Sequence, residues 1–127
     1  MDAPTVTIGR FPATLAPPSP LFAMAISKTR EEIDALGEPG LWAHFAASLA
    51  ACWPRDVTWP APVPPRRWSP RVPVADYGHE IFDGLVQAGL SPVSIIKAGR
   101  EAHNFAVGTV NIEVSAAVGL SEAPSGG

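Results

Sequence analysis

Polar and apolar positions alternate at the start of the chain and then settle into helical stripes, so the expected elements can be read in order. Thr5–Val6–Thr7–Ile8 has the two-residue period of a half-buried strand. Gly9–Arg10 can turn the chain, and Phe11, Ala13 and Leu15 alternate again, which predicts a short hairpin. Pro12 restricts the second strand to an edge position. An isolated two-stranded hairpin is marginal in water, so this one should lie on the helices or on a partner's sheet.

Pro17–Pro18–Ser19–Pro20 closes the hairpin unit, with Ser19 as N-cap and Pro20 in the first helical position. Phe22, Ile26, Ile33 and Leu36 then share one face while Lys28, Arg30, Glu31 and Asp34 cover the other, predicting one helix up to a stop at Gly37. Thr29–Arg30–Glu31–Glu32 also matches a capping box, which offers an alternative start near Thr29. The longer helix is the preferred reading. Leu41 to Trp53 is apolar almost all round, as a helix buried between other elements would be, and Pro54 ends it.

A third helix runs from about Val74 to Ala88, with Tyr77, Ile81, Phe82, Leu85 and Val86 in its stripe and Gly89 as its C-terminal cap. Gly78 and Gly84 would weaken this helix, which predicts close backbone packing at both. Ser91–Pro92 opens the fourth helix, whose apolar face holds Ile95, Gly99, Ala102 and Phe105. Lys97, Arg100, Glu101 and Asn104 oppose it. Gly108 should end or bend this helix, Asn111 caps a last short one from Ile112 to Val118, and 121–127 reads as a flexible tail.

Between the second and third helices the pattern disappears. Residues 54–73 interleave seven prolines with Arg55, Arg66, Arg67 and Arg71 and with Trp59 and Trp68. That composition predicts an extended, polyproline-like connection, unusual inside a small domain unless it has a function. The expected fold is therefore mainly α: one helical domain over 1–120, of about four helices, with a short N-terminal β-hairpin and this Pro-rich connecting segment.

Composition narrows the class. With 46% apolar and 17% charged residues, the 127-residue chain has the balance of one globular domain. A net charge of −3 argues against nucleic acid as the main partner, because phosphate binding needs clustered cations. A single cysteine excludes an internal disulfide framework and suits a reducing compartment. No apolar run approaches the roughly 20 residues of a membrane span. Met1–Asp2–Ala3–Pro4 is acidic where a secretory signal would be basic, which points to the cytoplasm.

Candidate chemistry is sparse. His44, Ser48 and Cys52 recur every fourth residue along the second helix. His44 and Cys52 would then stand about 12 Å apart, whereas a nucleophile and its base need about 3 Å. His44 and Ser48 could touch, but no carboxylate on that helix orients the imidazole. The three histidines and Cys52 match no zinc spacing, and the glycines form no phosphate-cradling motif. No catalytic residue, metal or cofactor is expected. The Arg66–Arg71 run is the most distinctive stretch. It fits a linker whose tryptophans pack on the core, a protein-docking arm, or a small nucleic-acid-binding module. Trp59, Arg66, Arg67, Trp68 and Arg71 are the candidate partner-binding residues.

Three stretches carry a resemblance. Ala46–Ala47–Ser48–Leu49–Ala50–Ala51–Cys52–Trp53, Tyr77–Gly78–His79–Glu80–Ile81–Phe82–Asp83–Gly84–Leu85 and Ile95–Ile96–Lys97–Ala98–Gly99 look like segments of small morphogenesis proteins of tailed bacteriophages and prophages. The tail Leu120–Ser121–Glu122–Ala123–Pro124 adds to it. The resemblance to tail assembly chaperones implies a non-enzymatic adaptor that binds another phage structural protein, of tail or capsid, in the host-cell cytoplasm or the virion.

Overall fold

The computed structural model describes residues 3–126, with side chains over 3–109. Among these the chain forms β1 (Thr5–Ile8), β2 (Phe11–Thr14), α1 (Pro20–Ile26), α2 (Arg30–Asp34), α3 (Gly37–Cys52), α4 (Val74–Gln87) and α5 (Pro92–Gly126). The fold is mainly helical with an N-terminal hairpin, as the hydrophobic pattern predicts.

The hairpin is antiparallel, with Val6 opposite Ala13 and Ile8 opposite Phe11. Gly9, at φ +59°, makes the turn, in the left-handed region that glycine enters without steric cost. Val6, Ile8 and Ala13 are buried. β1 packs on α5, so the hairpin is covered by this chain's own helix. Past β2, the Ala16 amide donates to the Cys52 carbonyl at 2.8 Å and ties the hairpin to the end of α3.

The single helix expected from Pro20 to Leu36 is two helices. Ser19 caps α1 by accepting the Phe22 amide at 3.3 Å, and α1 ends at Ile26, where the Ser27 hydroxyl donates to the Ala23 carbonyl at 2.6 Å. Thr29 then adopts an extended N-cap conformation and forms both halves of a capping box with Glu32, at 2.9 and 3.1 Å. An N-cap backbone is incompatible with the interior of a helix, so the local signal at Thr29 outweighs the stripe that runs across it. Gly37, at φ +74°, begins α3 where a plain stop was expected.

α3 is the central layer. Residues Ala43 to Leu49 are buried without interruption, because α4 covers one side and α5 another, each in more contact with α3 than with one another. Glycine sets both distances. A Cβ placed on Gly78 of α4 would overlap the Ala43 carbonyl, and one on Gly99 of α5 would overlap the Phe45 carbonyl. Trp42 stacks on Phe82 at 5.4 Å along the α3–α4 seam. Gly84, paired with Gly78 in the sequence reading, has nothing within 4 Å of the same construction and marks no close approach.

α4 closes in a Schellman motif. The Leu90 amide donates to the Leu85 carbonyl at 3.1 Å and the Gly89 amide to Val86 at 2.9 Å, with Gly89 at φ +95°. Ser91 caps α5 by accepting the Ser94 amide at 3.1 Å. The backbone of α5 then continues through Gly108, Asn111 and 121–126, where a bend, a separate short helix and a flexible tail were expected. Neither Gly108 nor Gly119 takes the positive φ that ends a helix at Gly89, and the Ala, Val and Glu between them favour or tolerate helix. Gly127, and the side chains from 110 on, lie outside the described residues. No helix among the described residues is long and apolar enough to cross a membrane.

The two interior glycines and Gly84 make a matched test. Gly78→Ala and Gly99→Ala should each lower unfolding free energy by about 3 kcal/mol in denaturant titrations, since the new methyl meets backbone that cannot swing aside. Gly84→Ala should raise it by roughly 0.5–1 kcal/mol through helix propensity alone. Equal effects at all three positions would contradict this packing.

Candidate functional site

Residues 54–73 form neither helix nor strand, yet they are anchored at both ends, while Pro62 to Pro64 are exposed. The Trp53 indole N–H donates to the Val57 carbonyl at 3.1 Å, and the Trp68 indole N–H to Val72 at 3.0 Å. Trp59 meets Trp53 edge-on at 5.4 Å. Trp68 stacks on Phe22 of α1 with ring centroids 4.5 Å apart, and Tyr77 of α4 meets the same Phe22 edge-on at 5.6 Å. Aromatic pairs in these geometries add about 0.5–1.5 kcal/mol each beyond the area they bury. The tryptophans thus pack back on the core, one of the alternatives open from sequence.

This folding-back builds a groove of about 970 Å³ between α1, the end of α3 and the segment itself. Leu21 and Trp53 line it together with Arg55, Arg66, Arg67 and Trp68. Three guanidinium groups thus border the groove, and no carboxylate does. Arg66 is held twice from α4: its carbonyl accepts the Tyr77 hydroxyl at 2.9 Å, and its guanidinium pairs with Glu80 at 2.7 Å. Both partners of that ion pair are more than half exposed, so its net worth is at most about 1 kcal/mol and a competing anion can displace Glu80. Leu21 is 62% exposed, and Met24, one turn further along α1, is 66% exposed. The combination places cations, aromatic edges and aliphatic surface side by side, the residue types that carry most binding energy at interfaces.

Of the residues singled out by sequence, Arg66, Arg67 and Trp68 meet on this groove. Trp59 turns instead into a smaller neighbouring cleft of about 280 Å³ that it shares with Arg66, Tyr77 and Glu80. Arg71 is exposed and lines neither cleft. Sequence reasoning missed Leu21, Trp53, Arg55 and Tyr77. Arg55 follows Trp53–Pro54 and belongs to the same cationic composition, so it could have been found; Leu21 and Tyr77 enter only through tertiary packing.

The helical row of His44, Ser48 and Cys52 is buried. The Ser48 hydroxyl donates to the His44 backbone carbonyl at 2.9 Å, so its proton is committed to the helix rather than to an imidazole. The Cys52 thiol donates to the Ala102 carbonyl at 3.6 Å, and burial pushes its pKa up to about 12. His44 meets His103 of α5 edge-on at 5.1 Å. The Nε2 atoms of both have no hydrogen-bond partner among the described residues. Burial lowers the pKa of His44 to about 4, helped by the positive fields of His103 and Lys28. His103 is also lowered by burial, opposed by a hydrogen bond that its ring donates to the Asn104 side chain. Among the described residues no three His, Cys, Asp or Glu side chains converge as a metal site would require.

These histidines give a pH dependence of stability. Unfolded, each binds its proton near pH 6.5; folded, His44 does so only near pH 4. Between those values the unfolded chain holds more protons, so stability rises with pH there. The contribution is complete above about pH 6.5 and is lost as pH falls toward 4, an effect on the order of 3 kcal/mol for His44. Urea titrations between pH 7.5 and 4.5 should show this decline, and His44→Gln should flatten it even if it lowers stability at neutral pH. An unchanged slope in that variant would assign the decline to other groups.

Comparison of the chain with known protein families, with characterised proteins and with solved structures finds no match in any of the three.

Proposed function

We propose that this protein is a non-enzymatic adaptor or chaperone that holds an extended, acidic segment of a partner protein in the groove between α1 and residues 54–73. The observation that carries the reading is the grouping of Arg55, Arg66 and Arg67 around exposed aliphatic and aromatic surface with no lining carboxylate. This grouping occurs in a chain whose net charge is −3. Charge segregation of that kind steers an acidic partner to one face and fixes its orientation more than it adds raw affinity. Proline-rich walls lose little entropy when a partner docks, because they are already restricted.

The resemblance to tailed-phage morphogenesis proteins supplies the setting of the proposal: the partner is another structural protein of tail or capsid, met in the host-cell cytoplasm or carried into the virion. The three resembling stretches fall on α3, α4 and α5 and include Gly78 and Gly99. They therefore bear on the helical core, while the arginines of the groove lie in the Pro-rich segment outside them. One face of Trp68 is taken by Phe22 and its N–H by Val72. This makes a nucleobase-stacking role for the Arg66–Arg71 stretch the weaker alternative.

The test is capture from a lysate of the native host after prophage induction, comparing wild type with an Arg55→Glu/Arg67→Glu variant whose folding is checked by circular dichroism. A tail or capsid protein retained by wild type, and reduced at least about tenfold with the variant, is the expected result. Capture that survives charge reversal would remove the groove from the reading. Recovery of nucleic acid with a steep salt dependence would replace a protein partner by a nucleic-acid one.

A further inference from the structure

A second cleft, sharing no lining residue with the groove, lies between α2, the first half of α3 and α5, and encloses about 690 Å³. That volume falls within the usual span of small-molecule sites, about 300–1,000 Å³. Its walls divide by chemistry. Ile33, Leu41, Phe45 and Val107 supply an apolar lining from three different helices. Lys28, Arg30 and Arg100 supply three cations against the one carboxylate of Asp34. None of these four charged groups belongs to an ion pair among the described residues. Arg100 is not free to swing away at no cost, since its guanidinium lies 5.6 Å over the centroid of the Phe45 ring.

The inner wall is closed by His103, which is only 8% exposed and meets Phe45 edge-on at 5.8 Å. Its Nε2 is shut off from solvent, so the charge and the apolar wall select the occupant. A bare inorganic anion would satisfy the cations but leave the apolar wall wet. An apolar cation would meet the wrong charge.

We propose that this cleft is a binding site for a small amphipathic carboxylate, its acid group toward Arg100 and Lys28 and its hydrocarbon body against Ile33, Leu41, Phe45 and Val107. The site is independent of the groove, so either can fail without the other. It joins α2, a five-residue helix with no buried residue, to the α3–α5 interface, and an occupant would hold that helix in place.

The experiment is an amide-resolved NMR titration of the full chain at pH 7.5 with octanoate, with octylammonium and inorganic phosphate as comparison probes. Octanoate should give saturable shifts at Ile33, Leu41, Phe45, Arg100 and Val107 and move the His103 ring nitrogens, leaving Arg67 and Trp68 unchanged. Arg100→Gln, at an exposed position that the core does not need, should weaken that binding about tenfold or more. The proposal is overturned if octylammonium binds as tightly, if phosphate alone reproduces the shifts, or if octanoate shifts are absent or centred on the Arg/Trp groove.

Discussion

The closeness with which α3 lies against its two neighbours governs the rest of the structure. At Ala43 and at Phe45 the backbone carbonyls of α3 stand where the side chains of α4 and α5 would ordinarily begin, and only glycine at 78 and 99 leaves that space open. Helices brought together at such short range must present small residues along the seam, which is why α3 alternates alanine with its few large side chains. Its polar residues must then satisfy themselves locally. Ser48 bonds its own helix, and Cys52 reaches a carbonyl of α5. The two imidazoles each leave Nε2 unpaired, and burial keeps them uncharged at neutral pH, edge to face within the layer.

Around this layer the chain uses cheap local devices to hold segments with no regular structure. Trp53 and Trp68 each donate their indole N–H to the carbonyl four residues further on. Each tryptophan thus fastens its own loop while its ring packs on an aromatic neighbour. A proline-rich stretch has few amides to offer, so side-chain donors and ring contacts do what a hydrogen-bond ladder would do elsewhere. The price is that the segment's shape depends on α1 and α4, through Phe22 and Tyr77.

Wherever a signal was local, it was legible in the sequence. The alternation of Thr5 to Ile8, the Ser19–Pro20 and Ser91–Pro92 starts, and the Gly89 stop all describe a few consecutive residues and hold as read. Elsewhere a longer-range pattern competes with a local one, or the deciding contact is tertiary. At Thr29 the stripe joining Ile26 to Ile33 favours one helix and the capping box two, and the capping box prevails. At Gly108 a residue with a helix-breaking reputation sits in a helix whose neighbours do not break. Gly78 and Gly84 look alike in sequence and differ only in what lies opposite, which no single chain segment encodes. The groove was half legible for the same reason. Its arginines and Trp68 stand out by composition, but Trp59 and Arg71 diverge from it, and Leu21 and Tyr77 arrive from elements far along the chain.

Arg66 illustrates how the surface is tied to the interior. Its main chain is gripped by Tyr77, the residue beside Gly78, so the wall of the groove is registered to the tightest contact in the core, while the side chains at 55 and 67 project from it with no such obligation. Substitution at those two positions therefore changes the charge of the rim and leaves the interior packing as it is, so surface chemistry and fold stability are separable here.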